Sequence, residues 1–389
     1  MSESRAVAER NETGGSLTES VGRSRAVICI GSGGVGKTTV AAAVGVCQAR
    51  RGRRVVCLTI DPARRLADSL GVDTDRGAGE LRDITGSLGE TNGGRLSFGM
   101  LDPVATFAEF VRRRTSSPAR AERILQNAMY RYLSGSLSGM QEYMALEKLC
   151  EILADPDTDL VVLDTPPTAN ALDFFTAPHR MVAALDGKLV RAMRRAYGGP
   201  GRYGIDLVGR GAGGLLRAIG RVTGAELLEE IMGFVDALSD LFGSFSERAS
   251  TVERVLAGDD VAFCLVVTPD RATLREAREF RQRLCRLGLG IDFVVFNRAH
   301  DPPVPDPPAD VSSGIRRALE PIDEEWNRAG ERESRLIESL AAGWEELKGT
   351  AIVPLLPEGA TRIAALDRIG EALSDSGASG TRAASRLPR

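Results

Sequence analysis

The sequence predicts an α/β fold, a doubly wound and mainly parallel sheet with an inserted helical subdomain. Seven short apolar runs alternate with helical segments, and most of these runs are continuous rather than alternating in polarity. Strands of that kind are typical of a parallel sheet covered by helices on both faces. Two long stretches, about 103–154 and 177–256, have no strand pattern and repeat their apolar residues at helical spacing. We expect these two stretches to form the helical subdomain.

The apolar runs place the strands along the chain. The predicted strands are Val27–Ile30, Val55–Ile60, Leu96–Met100, Leu160–Leu163, Val261–Thr268, Phe293–Asn297 and Ala351–Pro354. Residues 1–24 and 374–389 are polar and without periodicity, and we expect both to be disordered tails of a domain that spans residues 25–373. The proline-rich segment Asp301–Asp310 is predicted to be a surface loop.

A glycine-rich loop follows the first predicted strand and fits the pattern G-x-x-x-x-G-K-[ST]. Its residues are Gly31, Ser32, Gly33, Gly34, Val35, Gly36, Lys37, Thr38 and Thr39. An alanine-rich segment with good helix propensity comes next, and a strand, loop and helix in this order let backbone N–H groups converge on phosphate oxygens. The sequence therefore predicts a P-loop that binds a nucleotide. Lys37 would reach the β- and γ-phosphates, and the Thr38 hydroxyl would bind Mg²⁺.

Two aspartates follow predicted strands. Asp61 comes directly after the second strand, and Asp164 ends the run Leu160–Leu163. Carboxylates at the carboxyl ends of strands face the ligand crevice of a doubly wound sheet. We interpret Asp164 as a residue that holds a water of the Mg²⁺ shell and Asp61 as a residue that orients the attacking water. An N-cap role for Asp61 is compatible with that interpretation.

The predicted base pocket argues against GTP. A guanine pocket usually has the pattern N-K-x-D, whereas the matching strand tip here is Asn297-Arg298-Ala299-His300, without the aspartate. The Asn297 amide can still pair with the donor and acceptor edge of adenine.

Composition excludes several classes of function. The net charge of −3 provides no global attraction to nucleic acid, and two histidines in 389 residues argue against multi-histidine metal sites. No two of the six cysteines have C-x-x-C spacing, so neither a zinc site nor a redox pair is indicated. Cys29, Cys57 and Cys264 lie in predicted strands and are expected to be small core residues. Without a signal peptide or an apolar run of membrane-spanning length, we expect a cytoplasmic protein.

An arginine-rich and glycine-rich stretch, Lys188–Arg221, allows two interpretations. It is either a solvated connection between helices or a surface for an acidic partner or a membrane.

The motifs together resemble the anion-transporting ATPase family, which includes the arsenite-pump ATPase and the ATPase that targets tail-anchored membrane proteins. The resemblance covers about Arg25 to Leu373. The loop Gly31–Thr39 matches the family's phosphate loop, Thr59–Ala63 resembles its switch I, and Asp164–Thr168 resembles its switch II. This resemblance implies ATP and Mg²⁺ as cofactors, a dimer with a homologous subunit, and Asp61 as the residue that positions the hydrolytic water.

Three further segments carry the resemblance. Asn297 and Arg298 are similar to the family's adenine-contacting strand tip, and Pro354 and Leu355 to its adenine-contacting loop. Gly139–Glu142 lies where the family has a Gly-x-Asp-Glu turn that links the nucleotide site to the helical subdomain.

The chain departs from the family at the start of the loop. The family loop usually begins Gly-Lys-Gly-Gly, and its lysine reaches the partner's phosphates, but this chain has Ser32 at that position. No cysteine grouping that could chelate arsenite or bridge a dimer through zinc is visible in the sequence.

These departures leave several functions open. The chain is an ATPase paired with a lysine-bearing paralogue, a weak homodimeric ATPase, or a subunit that binds nucleotide without hydrolysing it. A DNA-partition ATPase is a further alternative, although such proteins lack so large a helical insertion.

Overall fold

The structure is a computed structural model, and two compact units account for the chain. The first comprises Met1–Met100, Ile152–Leu172 and Ala257–Arg389, and the second comprises Leu101–Glu151 and Asp173–Leu256. The structure describes residues 17–60, 65–71, 80–115, 117–127, 140–165, 174–180, 241–300, 312–344, 346–356 and 363–375.

The first unit is built on one eight-stranded sheet. Its strands are β1 (Ala26–Ile30), β2 (Arg54–Thr59), β3 (Arg82–Asp83), β4 (Arg95–Met100), β5 (Leu160–Asp164), β6 (Val261–Val267), β7 (Phe293–Ala299) and β8 (Gly349–Pro354). They are arranged in the order β3-β4-β2-β5-β1-β6-β7-β8. All neighbours pair in parallel except β3, which is antiparallel to β4. The glycine-rich loop therefore leaves the carboxyl end of an interior strand, β1.

Ten α-helices have both ends within the described residues. They are α1 (Leu17–Val21), α2 (Lys37–Arg50), α3 (Arg65–Leu70), α4 (Pro103–Arg114), α5 (Pro118–Gln126), α6 (Met140–Leu153), α7 (Leu241–Leu256), α8 (Arg271–Arg286), α9 (Ser313–Ala341) and α10 (Ile363–Asp375). Residues 174–180 are also helical, and Thr85–Ser87 forms a 3₁₀ turn.

The predicted fold class is confirmed. Each of the seven apolar runs forms a strand, and the strand boundaries differ from the predicted ones by no more than two residues. Sequence patterning missed β3, because a two-residue strand with the sequence Arg82-Asp83 carries no apolar pattern. Its pairing with β4 adds the single antiparallel edge.

Helix α2 fills one face of the sheet because its apolar residues are small. The main core contains the inward residues of β1, β2, β5 and β6. It also contains the buried residues of α2, which are Val40–Ala43, Val44, Val46 and Ala49. The three strand cysteines, Cys29, Cys57 and Cys264, are fully buried in that core, as predicted. A Cβ at Gly45 would lie 2.2 Å from the Cys57 sulfur, so only glycine lets α2 pack this closely against β2.

The boundary of the expected N-terminal tail needs correction. Leu17–Val21 forms α1, and Leu17 and Val21 are buried in the main core. The Thr18 hydroxyl lies 2.8 Å from that of Ser374 in α10, and the Gln48 side chain donates to the Thr18 carbonyl. The short helix was missed because its buried residues are set among polar ones. Residues 1–16 and 376–389 lie outside the described chain.

The described part of the second unit is helical. Asp102 caps α4 by accepting hydrogen bonds from the amides of Val104 and Ala105, and Ser117 caps α5. The core of this unit contains Phe107, Phe110, Val111, Ala121, Ile124, Met140, Tyr143, Met144, Ala177 and Ala249. The division of the chain into an ATPase core and a helical subdomain at 103–154 and 177–256 stays a proposal.

A buried ion pair joins α6 to α7 in the second unit. Arg248 donates to both carboxylate oxygens of Glu147, with its shortest contact at 2.7 Å, and the Tyr143 hydroxyl donates to the same carboxylate at 3.0 Å. Burial and the adjacent Glu147 charge raise the pKa of Tyr143, so the phenol remains a proton donor. Each charged or polar group is therefore satisfied, as burial requires.

An arginine–aspartate latch fixes the amino ends of β2 and β5. The Arg54 amide and guanidinium donate to the Asp159 carboxylate at 2.7 to 3.0 Å, and the Asp159 amide donates back to the Arg54 carbonyl. Hydrogen bonding to Arg54 lowers the pKa of Asp159 to about 2. The charged form of Asp159 is thus favoured in the folded state.

We predict that Asp159→Asn destabilises the protein in a pH-dependent manner. Because the folded-state pKa is depressed, the latch stabilises fully above the unfolded pKa of about 4 and loses its effect as the pH falls towards 2. Urea unfolding from about pH 7 to about pH 3 should show the stability difference from wild type narrowing as the pH falls. Asp157→Asn, at an 84% exposed side chain, controls for the lost charge. A stability difference between wild type and Asp159→Asn that does not change with pH would contradict the low pKa assigned to Asp159.

Candidate nucleotide-binding site

Glycines shape the loop between β1 and α2. Gly31, Gly34 and Gly36 have φ angles of 152°, 80° and 95°, which side-chain-bearing residues rarely adopt. A Cβ at Gly36 would lie 2.1 Å from the Asn297 Nδ2 atom, and one at Gly31 would lie 2.2 Å from the Val266 carbonyl oxygen. The loop is therefore packed against the tips of β6 and β7, and its shape depends on glycine.

The start of α2 has the character of an anion site. The helix begins at Lys37 with Gly36 as its N-cap, no side chain caps it, and its first turn contains no acidic residue. The first N–H groups of a helix have no partner within the helix, and together with the helix dipole they favour a negative charge. A phosphate group would satisfy both conditions.

Lys37 lies within the loop. The residue is 7% exposed, and its Nζ donates to the Ser32 carbonyl at 2.9 Å, across the loop from its own position. A buried cation is thus held beside the glycine-rich loop, and its contact with a phosphate stays a prediction.

Thr38 and Asp164 form the candidate magnesium site. The Thr38 hydroxyl donates to the Asp164 carboxylate at 2.8 Å, and the Thr59 hydroxyl donates to the same oxygen at 3.2 Å. Asp164 is 1% exposed and lies in register with Thr59 of β2 and Cys29 of β1. Hydroxyl and carboxylate oxygens are ligands that Mg²⁺ prefers, and this pair fits a Mg²⁺ ion held mainly by nucleotide phosphates and water.

The residue after Asp164 is anchored to the loop strand. The Thr165 hydroxyl donates to the Cys29 carbonyl at 2.7 Å, so β5 and β1 remain joined beyond their last paired residues. The following Pro166-Pro167-Thr168, which the sequence assigns to switch II, lies outside the described residues.

The fold brings sequence-distant cysteines together in the core. Cys29 and Cys264 are register partners on β1 and β6, and their hydrogen bond raises the pKa of Cys29, as burial also does. Burial raises the pKa of Cys57 to about 12. The thiols of Cys29 and Cys57 therefore stay protonated. Within the described part of the chain, no three His, Cys, Asp or Glu side chains are grouped to hold a metal ion.

The predicted base-contacting residues meet at the tips of β7 and β8. Asn297 is 5% exposed, and its Nδ2 donates to the Val35 carbonyl at 2.7 Å. Arg298 is exposed and has a φ of 61° at a bulge between β7 and β8. The Leu355 amide, which follows Pro354, donates to the Ala299 carbonyl at 2.9 Å. Strained positions and bulges of this kind are frequent at functional sites.

Asn297 therefore has a role that the sequence did not predict. Its amide braces the phosphate loop, since it donates to Val35 and contacts Gly36. Base recognition by Asn297 stays a prediction, because only one side of its amide is occupied by this contact.

Ser32, at the position of the family lysine, has a carboxylate partner. Its hydroxyl donates to Glu276, an exposed residue of α8. The two residues are 244 positions apart, and no pattern in the sequence indicates their contact. A carboxylate of α8 thus contacts the loop position at which the family loop usually has a lysine.

Several predicted residues lie outside the described part of the chain. These are Asp61, Gly139 and the arginine-rich stretch 188–221. Their predicted roles remain untested. Of the turn at 139–142, Met140 to Glu142 form the first turn of α6.

A glycine loop between an interior parallel strand and a helix, with an aspartate at the tip of the adjacent strand, defines the P-loop class of α/β proteins. Within that class the chain belongs to the anion-transporting ATPase family, whose model matches residues 24–353.

Curated relatives agree with this membership. The chain is 27% identical over 288 residues to Protein Rv2184c of Mycobacterium tuberculosis, which covers 71% of the chain and 59% of the relative. It is 26% identical to putative arsenical pump-driving ATPase 1 of Aquifex aeolicus, over 70% of the chain and 63% of the relative. It is 21% identical to ATPase GET3 of Malassezia globosa, over 71% of the chain and 73% of the relative. The chain thus spans about six tenths of the length of the first two relatives.

None of the helices in the described ranges is long and apolar enough to cross a membrane.

We predict that Asn297→Asp weakens the binding of ATP and GTP by the same factor. The substitution keeps the shape of the side chain but replaces the donor to Val35 by an acceptor. A buried, mispaired group costs about 1–3 kcal/mol, which corresponds to a loss of affinity of about 5- to 150-fold. Isothermal titration calorimetry with both nucleotides measures the two factors. A loss confined to ATP would show that Asn297 reads the base and does not act by bracing the loop.

Proposed function

We propose that this protein binds ATP with Mg²⁺ and hydrolyses ATP as a nucleotide-switched dimer. The observation that carries the proposal is the convergence of Lys37, Thr38 and Asp164 at the uncapped start of α2. Membership in a family of ATPases supports the same general class of activity.

In this proposal, different residues bind the phosphates, hold Mg²⁺, orient the attacking water and contact the base. The loop amides and Lys37 bind the phosphates, and Thr38 and Asp164 would hold Mg²⁺ directly or through water. A bound Mg²⁺ would neutralise charge on the β- and γ-phosphates. Asp61 orients the water that attacks the γ-phosphate. Asn297, Arg298, Pro354 and Leu355 lie at neighbouring strand tips and are positioned to contact the adenine.

Ser32 is the reason to propose a heterodimer. A hydroxyl that donates to Glu276 supplies no positive charge to a phosphate across a dimer interface. A cation supplied in trans contributes about 10³- to 10⁵-fold in rate in comparable NTPases. A homologous subunit with lysine at the position of Ser32 would provide that charge to the site in this chain.

The alternative is a regulatory subunit that binds nucleotide without hydrolysing it. The contact between Ser32 and Glu276 favours it, because a carboxylate at the loop raises the cost of accumulating negative charge nearby. A homodimer of this chain would carry that defect at both sites.

We further propose that the helical unit is the surface for a protein client and that the protein acts in the cytoplasm without nucleic acid. Amphipathic helices that adjoin a nucleotide switch in the sequence are elements that γ-phosphate contacts can shift between two states. The arginine-rich stretch 188–221, outside the described residues, is the candidate for peripheral contact with a membrane. DNA partition is the less favoured function because the charge of −3 offers no general attraction to DNA.

We predict that Lys37→Ala and Asp61→Asn separate binding from hydrolysis. Lys37→Ala removes the charge that meets the phosphates, so ATP affinity should fall below detection in calorimetry. Asp61→Asn should leave affinity unchanged and reduce turnover, because a residue that orients water acts in the transition state. Unchanged ATP affinity in Lys37→Ala would refute the phosphate-loop assignment. Equal losses of affinity and turnover in Asp61→Asn would make Asp61 a structural residue.

We predict that Ser32→Lys raises the slow turnover of the purified chain. The variant restores a cation at both sites of a homodimer, and the double variant Ser32→Lys with Glu276→Gln should be faster still, because the new lysine is then not held by the carboxylate. Ser32→Ala is the matched control and should stay at the wild-type rate. Steady-state phosphate release measures all four proteins. Brisk turnover by the wild-type chain, unchanged by Ser32→Lys, would contradict the heterodimer proposal.

A further inference from the structure

The outward face of α8 carries a row of arginines. The row comprises Arg271, Arg275, Arg278 and Arg286, with Gln282 between the last two, and all of these residues are exposed. At about 100° per residue they fall within a sector about 80° wide, and the row extends about 22 Å along the helix. Within the described ranges, none of the four arginines forms a hydrogen bond or an ion pair. We call this feature the arginine row.

The charge of the row is local and is not relieved by its own helix. Helix α8 contains six arginines and two glutamates, whereas the whole chain has a net charge of −3. Arg271, Arg275 and Arg278 follow one another at spacings of four and three residues, at which like charges on a helix repel. An anionic partner laid along the row would remove that repulsion and would therefore stabilise α8 as it binds.

The opposite face of α8 is fixed to the sheet unit. Its buried residues are Leu274, Ala277, Phe280 and Leu284. Arg281, beside this face, donates to the Gly343 carbonyl at 3.2 Å, and its guanidinium lies 5.1 Å from the centroid of the Trp344 ring. The Asp270 carboxylate caps the start of the helix. The row is thus displayed on a helix that is already held in place, which lowers the entropic cost of a contact made by its outer face.

The spacing of the row matches that of a second helix. Side chains three and four residues apart form the seam along which two helices pack, and carboxylates at the same spacing on a partner helix would follow the row along its length. A guanidinium presents its N–H groups in a planar fork that a carboxylate accepts in a bidentate manner. The row therefore fits an acidic helix that lies along α8.

The acidic border of the row disfavours a broad anionic surface. Glu279 is about 40° around the helix from Arg275, and Glu276 lies further round on the same side, where it accepts the Ser32 hydroxyl. A membrane plane or a nucleic-acid backbone laid over α8 would bring its phosphates against Glu279 as well as against the arginines. A single helix contacts the narrow row without meeting that carboxylate.

We propose that the arginine row of α8 binds an acidic helix of a partner protein. The contact lies outside the nucleotide site and does not depend on ATP hydrolysis. Because exposed ion pairs are individually weak, the dissociation constant is on the order of 10–100 µM at about 50 mM salt. The affinity falls about tenfold at about 300 mM salt, since the contact is electrostatic and solvent-exposed.

A synthetic peptide tests the pattern. The probe is an end-capped, alanine-based helix of about 21 residues, with glutamates along one side at alternating spacings of four and three residues. The control peptide has the same composition, but its glutamates are spread around the helix, and circular dichroism checks the helicity of both. Fluorescence anisotropy with the full-length chain should show the probe binding about tenfold more tightly than the control. Equal affinities would overturn the proposal, because the row would then attract negative charge without regard to its arrangement.

Charge reversal tests the row itself. Arg275→Glu should weaken binding of the probe by about tenfold or more, because it places a carboxylate in the middle of the row. Arg283→Glu is the matched control, since Arg283 is an exposed arginine of the same helix that lies outside the row, and its affinity should stay within about twofold of wild type. ATP affinity and thermal midpoint should be unchanged in both variants, which shows that they fold. Equal effects of the two substitutions would overturn the proposal.

Competition with other polyanions tests the choice of partner. Vesicles of phosphatidylserine and phosphatidylcholine, and a duplex DNA of about 20 base pairs, are each added to the complex of chain and probe. At equal concentrations of negative charge, neither should displace the probe. Displacement by vesicles or by DNA, together with binding of that competitor that Arg275→Glu abolishes, would assign the row to lipid or to nucleic acid and overturn the proposal. Loss of ATP binding in Lys37→Ala bears only on the proposed function, so the two proposals fail separately.

Discussion

The structure of the site depends on one buried carboxylate. Asp164 ends β5 at 1% exposure, and the hydroxyls of Thr38 and Thr59 both donate to it. Removing a carboxylate from water is costly unless hydrogen bonds compensate, so this position holds three elements together. The start of α2, the end of β2 and the end of β5 cannot move apart without leaving the charge unsatisfied. The phosphate loop takes its position relative to the sheet from this junction.

The loop itself is fixed from the opposite side. Asn297 donates to the Val35 carbonyl and leaves no space for a side chain at Gly36, while the Val266 carbonyl excludes one at Gly31. The tips of β6 and β7 thus shape the loop as much as its own glycines do. Arg298, which has a positive φ, follows Asn297 at the tip of β7. A change in the backbone at this tip would therefore move Asn297 and its hydrogen bond to the loop. A ligand that contacts Arg298 would act on the phosphate loop through Asn297.

Local patterns in the sequence were sufficient to predict the fold class and to indicate that Thr38 and Asp164 lie together. Continuous apolar runs mark seven strands, and the loop motif with its downstream aspartate predicts the pair Thr38 and Asp164, because parallel strands end at one edge of a sheet. The contacts that the sequence did not reveal are long-range and individually ordinary. Ser32 meets Glu276 across 244 positions, and Cys29 meets Cys264 only because β1 and β6 are neighbours in the sheet. Helix α1 was not predicted because its two buried apolar residues, Leu17 and Val21, are too few to show a helical period.

One feature of this chain opposes the assumption that it acts as a simple symmetric pair. At the loop, Ser32 and Glu276 place a hydroxyl and a carboxylate where charge neutralisation of phosphate calls for a cation, which favours pairing with a different, lysine-bearing subunit. A homodimer of this chain would repeat this arrangement at both nucleotide sites, so neither site would receive a cation from the loop of the other subunit. A lysine-bearing subunit would supply that cation to the site in this chain, where Lys37, Thr38 and Asp164 already converge.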